Sequence, residues 1–170
     1  MLTPAEYYRV SSDQVRYVRS TTGVFEDAIT KGQKKRIAKC ARLGMRVTRS
    51  DVEACHPIIA DNRSRKGRPY SMSLVYWQAL RALNHLDVKC FAVEPGPVAV
   101  AMCVLVQPEI LYVQAWGDVA GQEQNSPVTI LCRGIFNWCQ ENGVTLLDIG
   151  TADDAGLIAF KESLGFRRSR

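Results

Sequence analysis

The residues best suited to chemistry lie in two short apolar runs and in the segments after them. Tyr112, Gln114 and Trp116 alternate with Val113 and Ala115, so an extended strand puts the first three on one face, as a substrate wall or as ordinary packing. Asp118 follows at once, a carboxylate able to accept a proton or hold an ammonium group, or else to turn the loop or cap the next helix. Asp148 stands inside the apolar run Val144 to Ile149, where burial raises a carboxyl pKa unless hydrogen bonds hold the charge. Lys161 can meet a phosphate or the Asp148 carboxylate, or form a surface salt bridge. Asn62 and Arg63 open a basic stretch to Pro69 and either bind a substrate or simply end a helix. The spacing suggests no serine or cysteine nucleophile paired with a base, which favours direct attack by an amine over a covalent intermediate.

These groups need elements to hold them. Val88 to Val93, Val98 to Val106 and Ile110 to Trp116 are β-rich runs separated by Glu94-Pro95-Gly96-Pro97 and Gln107-Pro108-Glu109, the pattern of antiparallel hairpins. Ser126 and Pro127 mark a helix start, and Val128, Leu131, Cys132, Ile135, Trp138 and Cys139 recur at helical spacing before Asn142-Gly143 ends the pattern. The strand Val144 to Ile149 follows, so Ile110 to Ile149 reads as strand, helix, strand, a crossover that makes its two strands parallel. A last helix is expected from Ala155 to Leu164. Upstream, a basic helix runs from Lys31 to Leu43 and stops at Gly44, and Met45 to Thr48 reads as a short strand. Ser50 and Glu53 form a capping box that starts a helix at Asp51, with a bend expected at Pro57, and a further helix starts near Ser73. Residues 1–30 are an arm or edge strand, with Gln14 to Val18 as the candidate strand.

The chain has 170 residues, the length of one domain, and its hydrophobic fraction of 46% suits a soluble core. No apolar run is long enough to span a bilayer and Met1 to Glu6 lacks a secretion signal, so a cytoplasmic location is expected. Cys40, Cys55, Cys90, Cys103, Cys132 and Cys139 show no C-x-x-C pair and read as buried free thiols. His56 and His85 lack metal-ligand spacing, so no metal is expected. Net charge is +5, and twelve of the 22 Lys and Arg residues lie between Lys31 and Arg68 against three acids. That bias suits an anionic partner or a solvated helix face.

Three stretches carry a resemblance: Asp61-Asn62-Arg63 through Arg68-Pro69 with Ser71-Met72-Ser73; Tyr112 to Asp118 with Ser126-Pro127; and Leu147-Asp148-Ile149-Gly150-Thr151 with Gly156 to Gly165. Over roughly residues 31–166 they resemble the N-acetyltransferase (GNAT) superfamily, in a branch related to the Fem-type peptidoglycan aminoacyl transferases. The resemblance implies an α/β fold: a mixed, mostly antiparallel central sheet with one parallel β-α-β crossover and flanking helices. It implies that the strands ending at Trp116 and Ile149 splay apart around the arm of acetyl-coenzyme A or another acyl-coenzyme A. Trp116, Gly117, Gly121, Asn125, Ser126, Thr151 and Lys161 would then hold that cofactor, the loop Gly117 to Asn125 before the helix at Pro127 taking the pyrophosphate. Asp118, Asp148 and Tyr112 would be catalytic, and Asn62, Arg63 and Gln114 would bind substrate, an amine attacking the acyl carbonyl directly.

The sequence departs from that pattern twice. The loop Gly117 to Gln124 holds two acids and no base, so Arg63, Arg65 or Lys66 would have to supply positive charge. Few residues follow Phe166, so the amino-terminal strand or a second copy in a homodimer completes the sheet, unless the chain is a shortened form. Three functions remain open: acyl transfer from acyl-coenzyme A to a small amine or cell-envelope precursor, aminoacyl transfer from tRNA, and a GNAT-like binding module without catalysis.

Overall fold

Apolar runs broken by prolines form the centre of the molecule, in a computed structural model that describes residues 15–83 and 86–169. Met1 to Glu6, Gln14 and His85 lie outside the described residues. The strands are β1 (Arg16–Ser20), β2 (Arg46–Ser50), β3 (Asp87–Glu94), β4 (Ala99–Gln107), β5 (Ile110–Asp118), β6 (Leu146–Thr151) and β7 (Arg167–Ser169). The helices are α1 (Lys31–Arg42), α2 (Val52–Arg65), α3 (Leu74–Ala82), α4 (Pro127–Glu141) and α5 (Ala155–Ser163). One sheet has the order β2-β3-β4-β5-β6-β1-β7, and among the described residues only β5 and β6 are parallel. The β3-β4-β5 meander and the β5-α4-β6 crossover are the expected ones, and the expected mixed, mostly antiparallel sheet is present.

Two cores flank the sheet. On one side α1, α4 and α5 cover Phe91, Ala101, Cys103, Leu111 and Val113; on the other, α2 and α3 bury Ile59 and Trp77 against Cys90, Met102 and Ala115. All six cysteines are buried and unpaired, as their apolar surroundings predicted. No helix among the described residues is long and apolar enough to cross a membrane.

Several local expectations change. The first strand is no edge: β1 lies between β6 and β7, with Tyr17 and Arg19 buried, so the amino-terminal segment completes the sheet within the chain. Arg19 fixes it by donating to the carbonyls of Leu164, at 2.6 Å, and Phe25, at 2.8 Å. Helix α2 starts one residue late because Ser50 stays paired in β2 with Cys90, and Asp51 caps instead, accepting from the Ala54 amide at 2.7 Å. The helix passes through Pro57 to Arg65, so Asn62 and Arg63 are helical rather than its end. Ser126 precedes α4 with φ 51° and gives no side-chain cap; the proline after it disfavours the right-handed conformation.

A β-bulge matters most. Met102 pairs with Ala115 and Cys103 with Val113, which leaves Gln114 without a partner on β4. The extra residue resets the alternation. Val113 therefore joins the α4 side and Ala115 the α2 side, so Tyr112 and Gln114 no longer share a face with Trp116, which packs on the α4 side.

Candidate active site

The parallel ladder between β5 and β6 is short. It pairs Ile110 with Leu146, Leu111 with Leu147 and Tyr112 with Asp148, and then stops although β5 runs to Asp118 and β6 to Thr151. The gap is a cleft of about 390 Å³ walled by Tyr112, Gln114 and Trp116 of β5, Gly150 and Thr151 of β6, Lys161 of α5, and Arg63 and Arg68. Two further hollows continue it, sharing Trp116 and Leu157. The last of them reaches Gly117, Asp118 and Ser126 beside Arg36 and Lys66.

Lys161 sits behind the cleft, only 1% exposed. Its ammonium donates to the carbonyls of Ile149 at 2.7 Å, Gly150 at 3.0 Å and Thr151 at 2.7 Å. All three of its protons are engaged, so it holds the end of β6 rather than a ligand phosphate. Gly150, at φ 72°, turns the backbone so that successive carbonyls meet the amine. Burial pulls the Lys161 pKa down to about 8, against the pull of the Asp148 carboxylate.

Asp148 is fully buried and does not line the cleft. It accepts from Arg16 Nε at 2.6 Å and from the Gly150 amide at 2.7 Å. Burial raises its carboxyl above the usual range, with both hydrogen bonds opposing. The Arg16 guanidinium in turn lies 4.6 Å from the centre of the Tyr112 ring. Among the described residues the Tyr112 hydroxyl has no hydrogen-bond partner, and the residue lines the cleft.

Asp118 lies at the far end of the groove. Asn62, itself buried, donates to its carboxylate and, at 3.2 Å, to its carbonyl, while Arg65 donates to the same carbonyl at 2.6 Å. Arg65 also pairs with Asp61 and Glu123, so it neutralises the acidic loop internally. Arg36, Arg63 and Lys66 have no acidic partner among the described residues, and Arg68 meets Asp153 and Asp154 only at 3.5 and 3.9 Å. The Arg63 Nε is buried without a hydrogen-bond partner. Gly121 and Asn125 lie outside these hollows: Gly121 makes an exposed turn at φ 81°, and the Asn125 side chain donates to Gln122 at 3.1 Å.

The structure thus gathers Tyr112, Gln114, Trp116, Thr151 and Arg63 at the splay, and Asn62, Gly117, Asp118 and Ser126 at the other end. Sequence reasoning missed Arg36, Arg68, Leu157 and the Arg16 support. The basic bias of Lys31 to Arg68 was the available signal for the two arginines.

This arrangement is the GNAT fold. No protein-family model matches the chain and no curated protein matches its sequence. Among solved structures, FemX superposes with a TM-score of 0.76 at 14% identity over 94% of this chain and 61% of its own. L-PGS from Bacillus licheniformis gives 0.65 at 12% over 91% and 57%. A GCN5-related N-acetyltransferase from Kribbella flavida gives 0.54 at 16% over 96% and 60%. The chain spans about three fifths of the length of each.

Proposed function

We propose that this chain is an N-acyltransferase that joins an acyl group to an amine at the splay of β5 and β6. One observation carries the reading: the parallel ladder ends at Tyr112 and Asp148, opening a cleft edged by Arg63 and Arg68, with Lys66 and Arg36 further along. Arg36, Arg63 and Lys66, which have no acidic partner among the described residues, suit the phosphates of acyl-coenzyme A, which supplies a thioester carbonyl when bound. Past Tyr112 the β6-facing edge of β5 has no strand partner, so its backbone amides can stabilise the oxyanion. The amine nitrogen bonds the acyl carbon, the C–S bond breaks, and the nitrogen's proton ends on the thiolate. Tyr112 is placed to relay that proton. Asp148 acts through Arg16, holding the Tyr112 ring in position, and Asp118 anchors the other end of the groove on Asn62.

A second reading replaces the donor by aminoacyl-tRNA. The acidic loop Gly117 to Asn125, the basic groove on α1 and α2, and the likeness of fold to FemX favour it. A thermal-shift titration separates the two, because a ligand at a hundred times its Kd adds about 2.7 kcal/mol of stability. Stabilisation by acetyl-coenzyme A supports the first donor; stabilisation by tRNA, falling steeply with salt, supports the second. If neither ligand stabilises the protein and no amine is acylated, the transferase reading fails and a non-catalytic module remains.

A further inference from the structure

We propose that the acceptor amine carries one aromatic ring or a branched aliphatic group of that size, seated between α3 and β4; the assignment rests on the transferase reading above. Trp77 and Leu80 of α3, with Val104 and Val106 of β4, wall a hollow of about 160 Å³ that shares Tyr112 and Gln114 with the splay cleft. An apolar cavity of about 150 Å³ accommodates benzene, so the hollow takes one ring and little more.

The hollow is chemically graded. Its α3 end is the Leu80 side chain, the Trp77 indole and the Tyr76 ring, and Trp77 is held rigid by donating its Nε1 hydrogen to Tyr70 at 2.9 Å. No acid or base lines it. At the border with the cleft stand Tyr112 and the Gln114 amide, whose one bond is a 3.7 Å contact to the Met72 sulfur. The bulge at Gln114 explains this, since it turns Tyr112 and Gln114 toward α3 while Trp116 faces the donor groove. An uncharged flank in the hollow therefore sets an amine beside Tyr112, opposite the cationic rim.

The test uses 2-phenylethylamine against ethanolamine. We expect 2-phenylethylamine to shift the Trp77 indole N–H resonance saturably and ethanolamine at equal concentration to leave it unmoved. In acetyl transfer, kcat/KM for 2-phenylethylamine exceeds that for ethanolamine by about thirtyfold, equivalent to about 2 kcal/mol. Leu80→Trp, which fills the hollow from a partly exposed position, lowers that ratio about tenfold; Val106→Phe serves if that variant does not fold. Equal binding of the two amines, or an unchanged ratio in a folded filling variant, overturns the assignment. Saturable binding at Trp77 with no transfer from acetyl-coenzyme A or aminoacyl-tRNA supports the hollow and overturns the transferase reading instead.

Discussion

Replacing Lys161 by methionine removes the ammonium that holds the end of β6 while keeping most of its volume. At pH 7 three carbonyls lose their donor: those of Ile149 and Gly150 are in buried hydrogen bonds and that of Thr151 is part-buried, and because all three residues border the cleft, water can replace the amine in part. One buried carbonyl left unpaired costs about 1–3 kcal/mol, so urea unfolding should show a loss of about 2 kcal/mol. The pH dependence is the sharper test. Burial lowers the Lys161 pKa from 10.5 to about 8, which makes charging it about 3 kcal/mol less favourable in the fold. Between those values the unfolded chain binds more protons, so this group contributes stability that is full above pH 10.5 and lost as pH falls through 8. The gap between wild type and Lys161→Met should therefore widen by up to about 3 kcal/mol from pH 8 to 10.5. Measuring the gap cancels the buried thiols, whose raised pKa values withdraw stability from both proteins above pH 9. A gap constant from pH 7 to 10, or a variant as stable as wild type at pH 7, refutes the buried ammonium.

Gly134→Ala should destabilise by about 1–3 kcal/mol in urea unfolding, because a Cβ there overlaps the Val47 side chain. Val47→Ala should recover part of that loss in a double-mutant cycle. Asp148→Asn should alter acid unfolding: the raised carboxyl of wild type contributes stability present below pH 3.8 and lost as pH rises through its folded value, and asparagine lacks that dependence. Native protein should react with no disulfide reagent on the time scale of minutes, while urea should release six thiols, since every cysteine is buried.

What was legible in the sequence was local. Helix α4 announces itself by apolar residues at helical spacing between Pro127 and Asn142-Gly143, and the meander by prolines between its runs. What escaped was decided across the chain. Nothing in Val113-Gln114-Ala115 marks a bulge, because the bulge depends on how β4 pairs opposite it. Tyr17 and Val18 looked like a lone edge strand because the partners of β1 are β6 and β7, far along the sequence. For Lys161 the sequence offered a phosphate, the Asp148 carboxylate or a surface salt bridge, and none of these is its place: the left-handed turn at Gly150 helps aim three backbone carbonyls at its buried amine.

The splay itself has a physical cause in these residues. Parallel strands normally satisfy each other's facing backbone groups, and β5 and β6 stop doing so after Tyr112. Lys161 answers for β6 by donating to three of its last carbonyls, at about 3 kcal/mol of charge burial. Tyr112 stands against Gly150, where an added Cβ would come within 3.4 Å of its ring, and the Asp148 and Arg16 pair backs that ring. The strands are thus held apart by a wedge and a buried cation, whereas on β5 beyond Tyr112, among the described residues, side chains reach only the carbonyl of Asp118 at the strand's far end. A continuous sheet would not need a buried ammonium here; a β6 end that has parted from β5 does.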